Sequence, residues 1–98
     1  MDTVLITGAA KRIGKALALG MGSDGWRVVL HYRSSDDDAE SVAQMIRDQG
    51  GEAFTVQADL SDEEQVESLI ARSVEQAGPL SCLINNASIF EEDSVETA

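Results

Sequence analysis

Ninety-eight residues, 43% of them apolar, allow one small domain with a modest core, and the composition is not that of a disordered chain. Eighteen acidic residues against seven basic give a net charge of −11. Such a surface repels nucleic acid and anionic membranes, so neither is expected as a partner.

The pattern alternates between short apolar runs and longer amphipathic stretches. Residues 3–7, around Val4-Leu5-Ile6, read as a first strand. A helix follows from Arg12 to about Asp24, with Ile13, Ala16, Leu17 and Gly20 on its expected inner face and Gly25 as a left-handed cap. Arg27–Tyr32 is a second strand, and Trp26 is expected to pack where the first helix meets it. Ser34 or Ser35 then caps a helix running to Gln49, with Ala39, Val42, Ala43 and Ile46 inward. Residues 53–58 form a third strand. Ser61-Asp62-Glu63-Glu64 reads as a capping box in which Ser61 accepts from the Glu64 amide. The helix it opens carries Val66, Leu69, Ile70, Ser73, Val74 and Ala77 as a buried stripe and stops at Gly78-Pro79. Residues 81–85 are the fourth strand.

Strands joined by helical crossovers imply a parallel sheet covered on both faces. Right-handed crossovers and a phosphate-type turn after the first strand predict the spatial order 3-2-1-4. The fold class is thus α/β, a partial Rossmann-type doubly wound sheet, with residues 1–98 as one truncated dinucleotide-binding domain. Residues 91–98 have no periodicity, and a sheet ending on its fourth strand leaves that edge uncovered. The chain is therefore expected to be the front part of a longer protein and to self-associate as a homo-oligomer.

One cysteine, Cys82, excludes an internal disulfide framework and fits a reducing compartment. Flanked by Leu80, Leu83 and Ile84, it is expected to be a small core residue rather than a reactive thiol. No apolar run approaches the ~20 residues of a membrane span, and the N-terminus has no basic leader, so a cytoplasmic location is expected. One histidine and one cysteine cannot build a zinc site.

Four stretches could carry chemistry. Thr7-Gly8-Ala9-Ala10-Lys11-Arg12-Ile13-Gly14 joins a strand to a helix, an arrangement in which turn N–H groups and the helix N-terminus attract phosphate. Gly8 would make the tight turn, Gly14 would let helix and strand approach, and Arg12 would contact a phosphate. The alternative is a structural turn with no ligand. At the end of the second strand, where an NAD-binding domain places an acid for the ribose, the chain has His31-Tyr32-Arg33-Ser34-Ser35. Arg33 can pair with a 2′-phosphate, and serine can donate to it, which favours NADP. An exposed arginine on an acidic protein is the alternative. The run Asp36-Asp37-Asp38 reads as first-turn acids facing the helix dipole rather than as a ribose ligand. Asp59, in Ala58-Asp59-Leu60 at the third strand's end, could accept from an adenine amino group or act as a turn residue. Asn85-Asn86-Ala87-Ser88 could tie neighbouring strands and admit a ribose, or form a plain turn. His31 is expected to be a packed strand-end residue rather than a base.

Together these motifs resemble the short-chain dehydrogenase/reductase family, over essentially all 98 residues. Thr7-Gly8-x-x-x-Arg12-Ile13-Gly14 looks like the family's Thr-Gly-x-x-x-Gly-x-Gly, with Arg12 in place of the middle glycine. Asn85-Asn86-Ala87-Ser88 looks like its Asn-Asn-Ala-Gly, with Ser88 in place of the glycine. Both departures, and His31-Tyr32-Arg33-Ser34, are similar to the pteridine-reductase-like branch. The resemblance implies NADP(H) contacts at Gly8, Lys11, Arg12, Ile13, Gly14, Tyr32, Arg33, Ser34, Asp59, Leu60, Asn86, Ala87 and Ser88. It implies hydride transfer to a carbonyl or imine of a small, pteridine-like substrate, with the tyrosine of a Tyr-x-x-x-Lys motif as general acid. The one tyrosine here, Tyr32, is followed four residues on by Asp36. No catalytic residue is carried over, and the isolated chain is expected to be inactive. A stand-alone nucleotide-binding or sensing module, and a structural oligomer joined through the fourth strand, are the competing functions.

Overall fold

The structure is a computed structural model that describes residues 2–9, 12–34 and 36–86. The chain runs β1 (Thr3–Ile6), α1 (Arg12–Ser23), β2 (Arg27–Tyr32), α2 (Asp36–Asp48), β3 (Glu52–Gln57), α3 (Glu63–Ala77), β4 (Cys82–Ile84). The four strands form one sheet in the order β3-β2-β1-β4. All three pairings are parallel, with Ile6 opposite both Leu30 and Ile84. The expected α/β architecture and strand order are those found.

Strand alternation divides the core between the two faces of the sheet. Val4, Ile6, Val28 and Leu30 pack with residues of α1 and α2, including Ala18, Val42 and Ile46. Leu5, Val29 and Val56 point the other way and pack with Leu69 and Ala77 of α3. All four β1 residues are buried, as a central parallel strand flanked by two neighbours and covered on both faces requires. Trp26 and Cys82 are half-buried against the first of these clusters, so Cys82 lines the core without being enclosed by it.

The helices follow the expected inner faces unequally. In α2, Ala39, Val42, Ala43 and Ile46 are all buried. In α1 the buried residues are Gly14, Ala18 and Gly22, not the expected stripe; Ile13 is 68% exposed. Residues four apart share a helix face, so turning Gly14 inward turns Ile13 outward. The close approach decides this: a Cβ on Gly22 would come within 2.9 Å of Ile46 Cγ2, so only glycine lets α1 lie this near α2. In α3, Leu69, Ser73 and Ala77 are buried, whereas Ile70 and Val74 are 42% and 40% exposed. Buried Ser73 is satisfied by donating to the Leu69 carbonyl at 2.7 Å.

The α3 N-cap is Asp62, not Ser61. Asp62 Oδ1 accepts from the Glu64 amide at 3.0 Å. Ser61 belongs instead to the preceding turn, where its amide and hydroxyl both donate to Asp59 Oδ1, at 3.0 and 2.7 Å.

Candidate functional site

Parallel strands bring their C-terminal ends to one edge of the sheet, where ligands of such folds bind. That edge carries Thr7-Gly8-Ala9 after β1, Arg33 and Ser34 after β2, Ala58-Asp59-Leu60 after β3, and Asn85-Asn86 after β4. Lys11, Ala87 and Ser88 lie outside the described residues, as does Ser35.

Gly8 adopts φ 62°, a left-handed conformation that glycine adopts without steric cost. Its carbonyl accepts from Asn86 Nδ2 at 3.2 Å, which ties the turn to the end of β4. Thr7 Oγ1 donates to Asn85 Oδ1 at 3.0 Å. The asparagines thus hold β1 and β4 together, as one reading of the sequence had it. Three successive turn amides are used internally. Thr7 N–H donates to the Ile84 carbonyl (3.0 Å), Gly8 N–H to His31 Nδ1 (2.9 Å) and Ala9 N–H to the His31 carbonyl (3.0 Å). The expectation that this part of the turn offers free N–H groups to a phosphate is therefore corrected. The groups left for a ligand are the first amides of α1, which lack intrahelical partners.

Arg12 begins α1 with φ 54°, the one non-glycine positive φ among the described residues. It stands at the position where the motif usually has glycine, and it carries an exposed guanidinium. No acid occupies the first turn of α1. The helix dipole and Arg12 therefore make a local positive site on a strongly acidic protein.

At the end of β2 the Arg33 side chain is 75% exposed, with Nε 4.0 Å from Asp59 Oδ1. Its carbonyl accepts from Gln57 Nε2 at 2.9 Å, which positions the backbone. Ser34 is exposed, and Tyr32 is half-buried with its carbonyl taken by the Ala58 amide. Asp59 is held from both sides, its amide donating to Gln65 Oε1 at 2.8 Å. The Ser61 hydroxyl first, then the Ser61 amide, lower the pKa of its carboxyl; burial opposes them, and the Arg33 charge adds a lesser lowering. Asp59 therefore serves as the turn residue, one of the two readings of it, with its Oδ1 engaged by Ser61.

His31 is 2% exposed. Its Nε2 lies 2.8 Å from the Ala58 carbonyl, and its Nδ1 receives the Gly8 N–H. An amide only donates, so Nδ1 carries the lone pair and Nε2 carries the proton. Burial lowers the pKa of the ring, the Ala58 bond opposes this, and Arg72 lowers it further; the net direction is down. His31 is packed, as expected from sequence, but its bonds to two neighbouring strand ends were not legible there. The bonds of Ser61 and Gln65 to Asp59 were missed for the same reason.

Beside this edge lies an apolar cleft of about 150 Å³, lined by Leu5, Leu60, Leu69, Ile70 and Leu83, with Thr7 and Asn85 among its lining residues. Among the described residues its lining carries no charged group.

The fold recurs in known proteins. The chain is 43% identical to FolM alternative dihydrofolate reductase 1 from Brucella suis, crystallised in complex with NADP, with a TM-score of 0.85 over 94% of this chain and 38% of that one. It is 35% identical over 91 residues to the 3-oxoacyl-acyl-carrier-protein reductase FabG of Staphylococcus aureus, covering 93% of this chain and 37% of the relative. An uncharacterised oxidoreductase of Methylorubrum extorquens is 40% identical over 92 residues, 94% of this chain and 37% of that protein. The chain therefore spans less than two-fifths of the length of these relatives. The family described as short chain dehydrogenase matches residues 2–98, and the chain belongs to that family.

Proposed function

We propose that this chain is the NADPH-binding N-terminal part of an oxidoreductase, and that it grips the adenosine and pyrophosphate. The observation that carries the reading is Arg33 at the end of β2, exposed and held only loosely at 4.0 Å from Asp59. A domain selective for NAD has an acid at this point.

The residues present fit a bound dinucleotide. Arg12, Ile13 and Gly14 open α1 with no acid in its first turn, so they and Lys11 would receive the pyrophosphate. Arg33 and Ser34, with Tyr32 beneath them, would receive the 2′-phosphate. Asp59 and Leu60 would flank the adenine. Asn86, followed by Ala87 and Ser88, would face the nicotinamide ribose. When bound, the cofactor supplies a hydride, and the protein positions it.

For the whole protein the reading is hydride transfer to a carbonyl or imine, with a pteridine-like substrate favoured by Arg12 and Ser88 at the two departures from the commoner motif. The 98 residues contain no Tyr-x-x-x-Lys, so the chain alone is read as inactive. The second reading is a nucleotide-binding or sensing module without catalysis. The lone Cys82 supports a cytoplasmic location, the net charge of −11 argues against nucleic acid as a partner, and Leu83, 54% exposed on β4, supports a homo-oligomer. Titration of the chain with NADPH and NADH tests the proposal: NADPH binds roughly tenfold or more tighter, as a charge-assisted pair of about 1.5–3 kcal/mol requires. Equal affinities would overturn it.

A further inference from the structure

His31 joins three parts of the candidate site that are far apart in sequence. Its ring receives the Gly8 amide and bonds the Ala58 carbonyl, one residue before Asp59. Its backbone carbonyl receives the Ala9 amide. One residue of β2 therefore clamps the β1 turn twice and links it to the end of β3.

We propose that His31 is a positioning residue: its neutral ring holds the Gly8 turn in the form that presents the start of α1 to the cofactor's pyrophosphate, and protonation of Nδ1 releases that turn. This rests on the cofactor reading above. The chemistry follows from the donor count. Protonated imidazole has two N–H donors and no acceptor. The Gly8 amide would then face another donor, and a part-buried N–H left without an acceptor is unfavourable. Gly8 cannot turn elsewhere without losing the Asn86 bond to its carbonyl and the close contact with Gly14.

The groups around the ring offset a positive charge only in part: the Ala58 carbonyl favours it, but burial outweighs that bond. From the β1 turn and from β3 the bonded partners are backbone atoms. From α3 comes Arg72, whose charge disfavours protonation and whose Nη2 donates to the Gln57 carbonyl at 2.7 Å. The Asp59 carboxylate beyond β3 is already engaged by Ser61 and faces Arg33.

His31 is the one histidine of the chain, so its titration can be followed without ambiguity. The test uses the 98-residue chain, NADPH as the probe, and the variants His31→Asn and His31→Leu. Asparagine keeps an acceptor at the same bond separation from the backbone as Nδ1 but does not titrate. It also controls for the cofactor's own 2′-phosphate, whose second ionisation lies near pH ~6. We expect wild type and His31→Asn to bind NADPH within about threefold of each other at pH 8. One pH unit below the midpoint of the ring, read by NMR, the wild type should have weakened about tenfold more than His31→Asn, the limit for one coupled proton. His31→Leu should bind at least about tenfold more weakly at every pH. The Gly8 amide resonance of the wild type should move with the His31 midpoint, a readout that needs neither cofactor nor variant.

Parallel pH profiles for wild type and His31→Asn would overturn the proposal. So would a Gly8 resonance indifferent to the titration of His31, even if both variants failed to fold. Failure of the wild type to bind NADPH at pH 8 would instead overturn the cofactor reading, and the Gly8 resonance would still judge the clamp.

Discussion

A Cβ placed on Gly14 would lie 2.1 Å from the Gly8 carbonyl oxygen, and 2.7 Å from Asn86 Nδ2. The two glycines of the turn are therefore in direct steric register. The first carbonyl is pinned by Asn86, and the second residue has no side chain because that carbonyl occupies its place. Any substitution at Gly14 must move backbone atoms, not a flexible side-chain tip. Gly14→Ala should already destabilise the chain by about 1–3 kcal/mol, and Gly14→Val by at least as much. NADPH affinity should fall with it, because the Gly8 turn is what moves. Urea denaturation and NADPH titration of the same variant check both effects together.

Arg12 makes the opposite prediction. A non-glycine residue in the left-handed region costs roughly 1–2 kcal/mol, while glycine loses about 0.5–1 kcal/mol through the unfolded chain. With φ 54° at Arg12, Arg12→Gly should leave stability unchanged or raise it by up to about 1 kcal/mol. The same variant should weaken NADPH binding, since it removes the cation at the start of α1. A clear loss of stability would show that the Arg12 side chain contributes to packing.

Cofactor preference should follow the charge at the end of β2. Arg33→Asp places a carboxylate where a 2′-phosphate would lie and where a ribose hydroxyl could be bound instead. The NADPH-to-NADH affinity ratio should fall at least about tenfold. The Arg33 side chain is 75% exposed, so solvent screening holds the effect near the lower end of the range for charged hydrogen bonds. Raising the salt concentration should narrow the wild-type ratio in the same direction.

Stability should depend on pH through His31. Its folded pKa is lowered below 6.5 by burial first, with Arg72 adding to this. The unfolded chain therefore takes up a proton at a higher pH than the folded one. Stability from this group is fully present above about pH 6.5 and declines as pH falls below that value toward the folded midpoint. The slope is at most about 1.4 kcal/mol per pH unit, the limit for one proton. His31→Asn should lack the decline in that window. A second decline, from Asp59, should begin only below the ordinary carboxylate value of 3.8, because its folded pKa is lowered by the Ser61 bonds.

The start of α3 offers a small, clean comparison. Asp62→Ala should cost about 1 kcal/mol, the usual value of an N-cap. Ser61→Ala removes no cap, but it removes the hydroxyl bond to Asp59, leaving the amide bond, and should raise the carboxyl pKa of that residue. NMR titration of Asp59 distinguishes the two variants.

The sequence alone determined the order of elements, the parallel sheet and the strand order. Apolar runs, helical spacing and crossover handedness are local or near-local, and Val4-Leu5-Ile6 or Ala39-Val42-Ala43-Ile46 declare themselves without partners. It also pointed to the strand ends as the candidate site, with Arg33 as a candidate partner for the cofactor's 2′-phosphate. Four matters were left to the tertiary structure. The rotation of α1 was one, because the need for Gly14 to meet the Gly8 carbonyl overrides the larger apolar side chain of Ile13. The cap of α3 was another: Ser61 and Asp62 are equally good caps by composition, and only the turn that gives Ser61 to Asp59 decides between them. The left-handed backbone of Arg12 was a third. The last was the role of His31, whose partner Gly8 stands 23 residues away. That bond exists because the register sets Ile6 beside Leu30, and register is fixed by the packing of whole strands, not by any one residue in them.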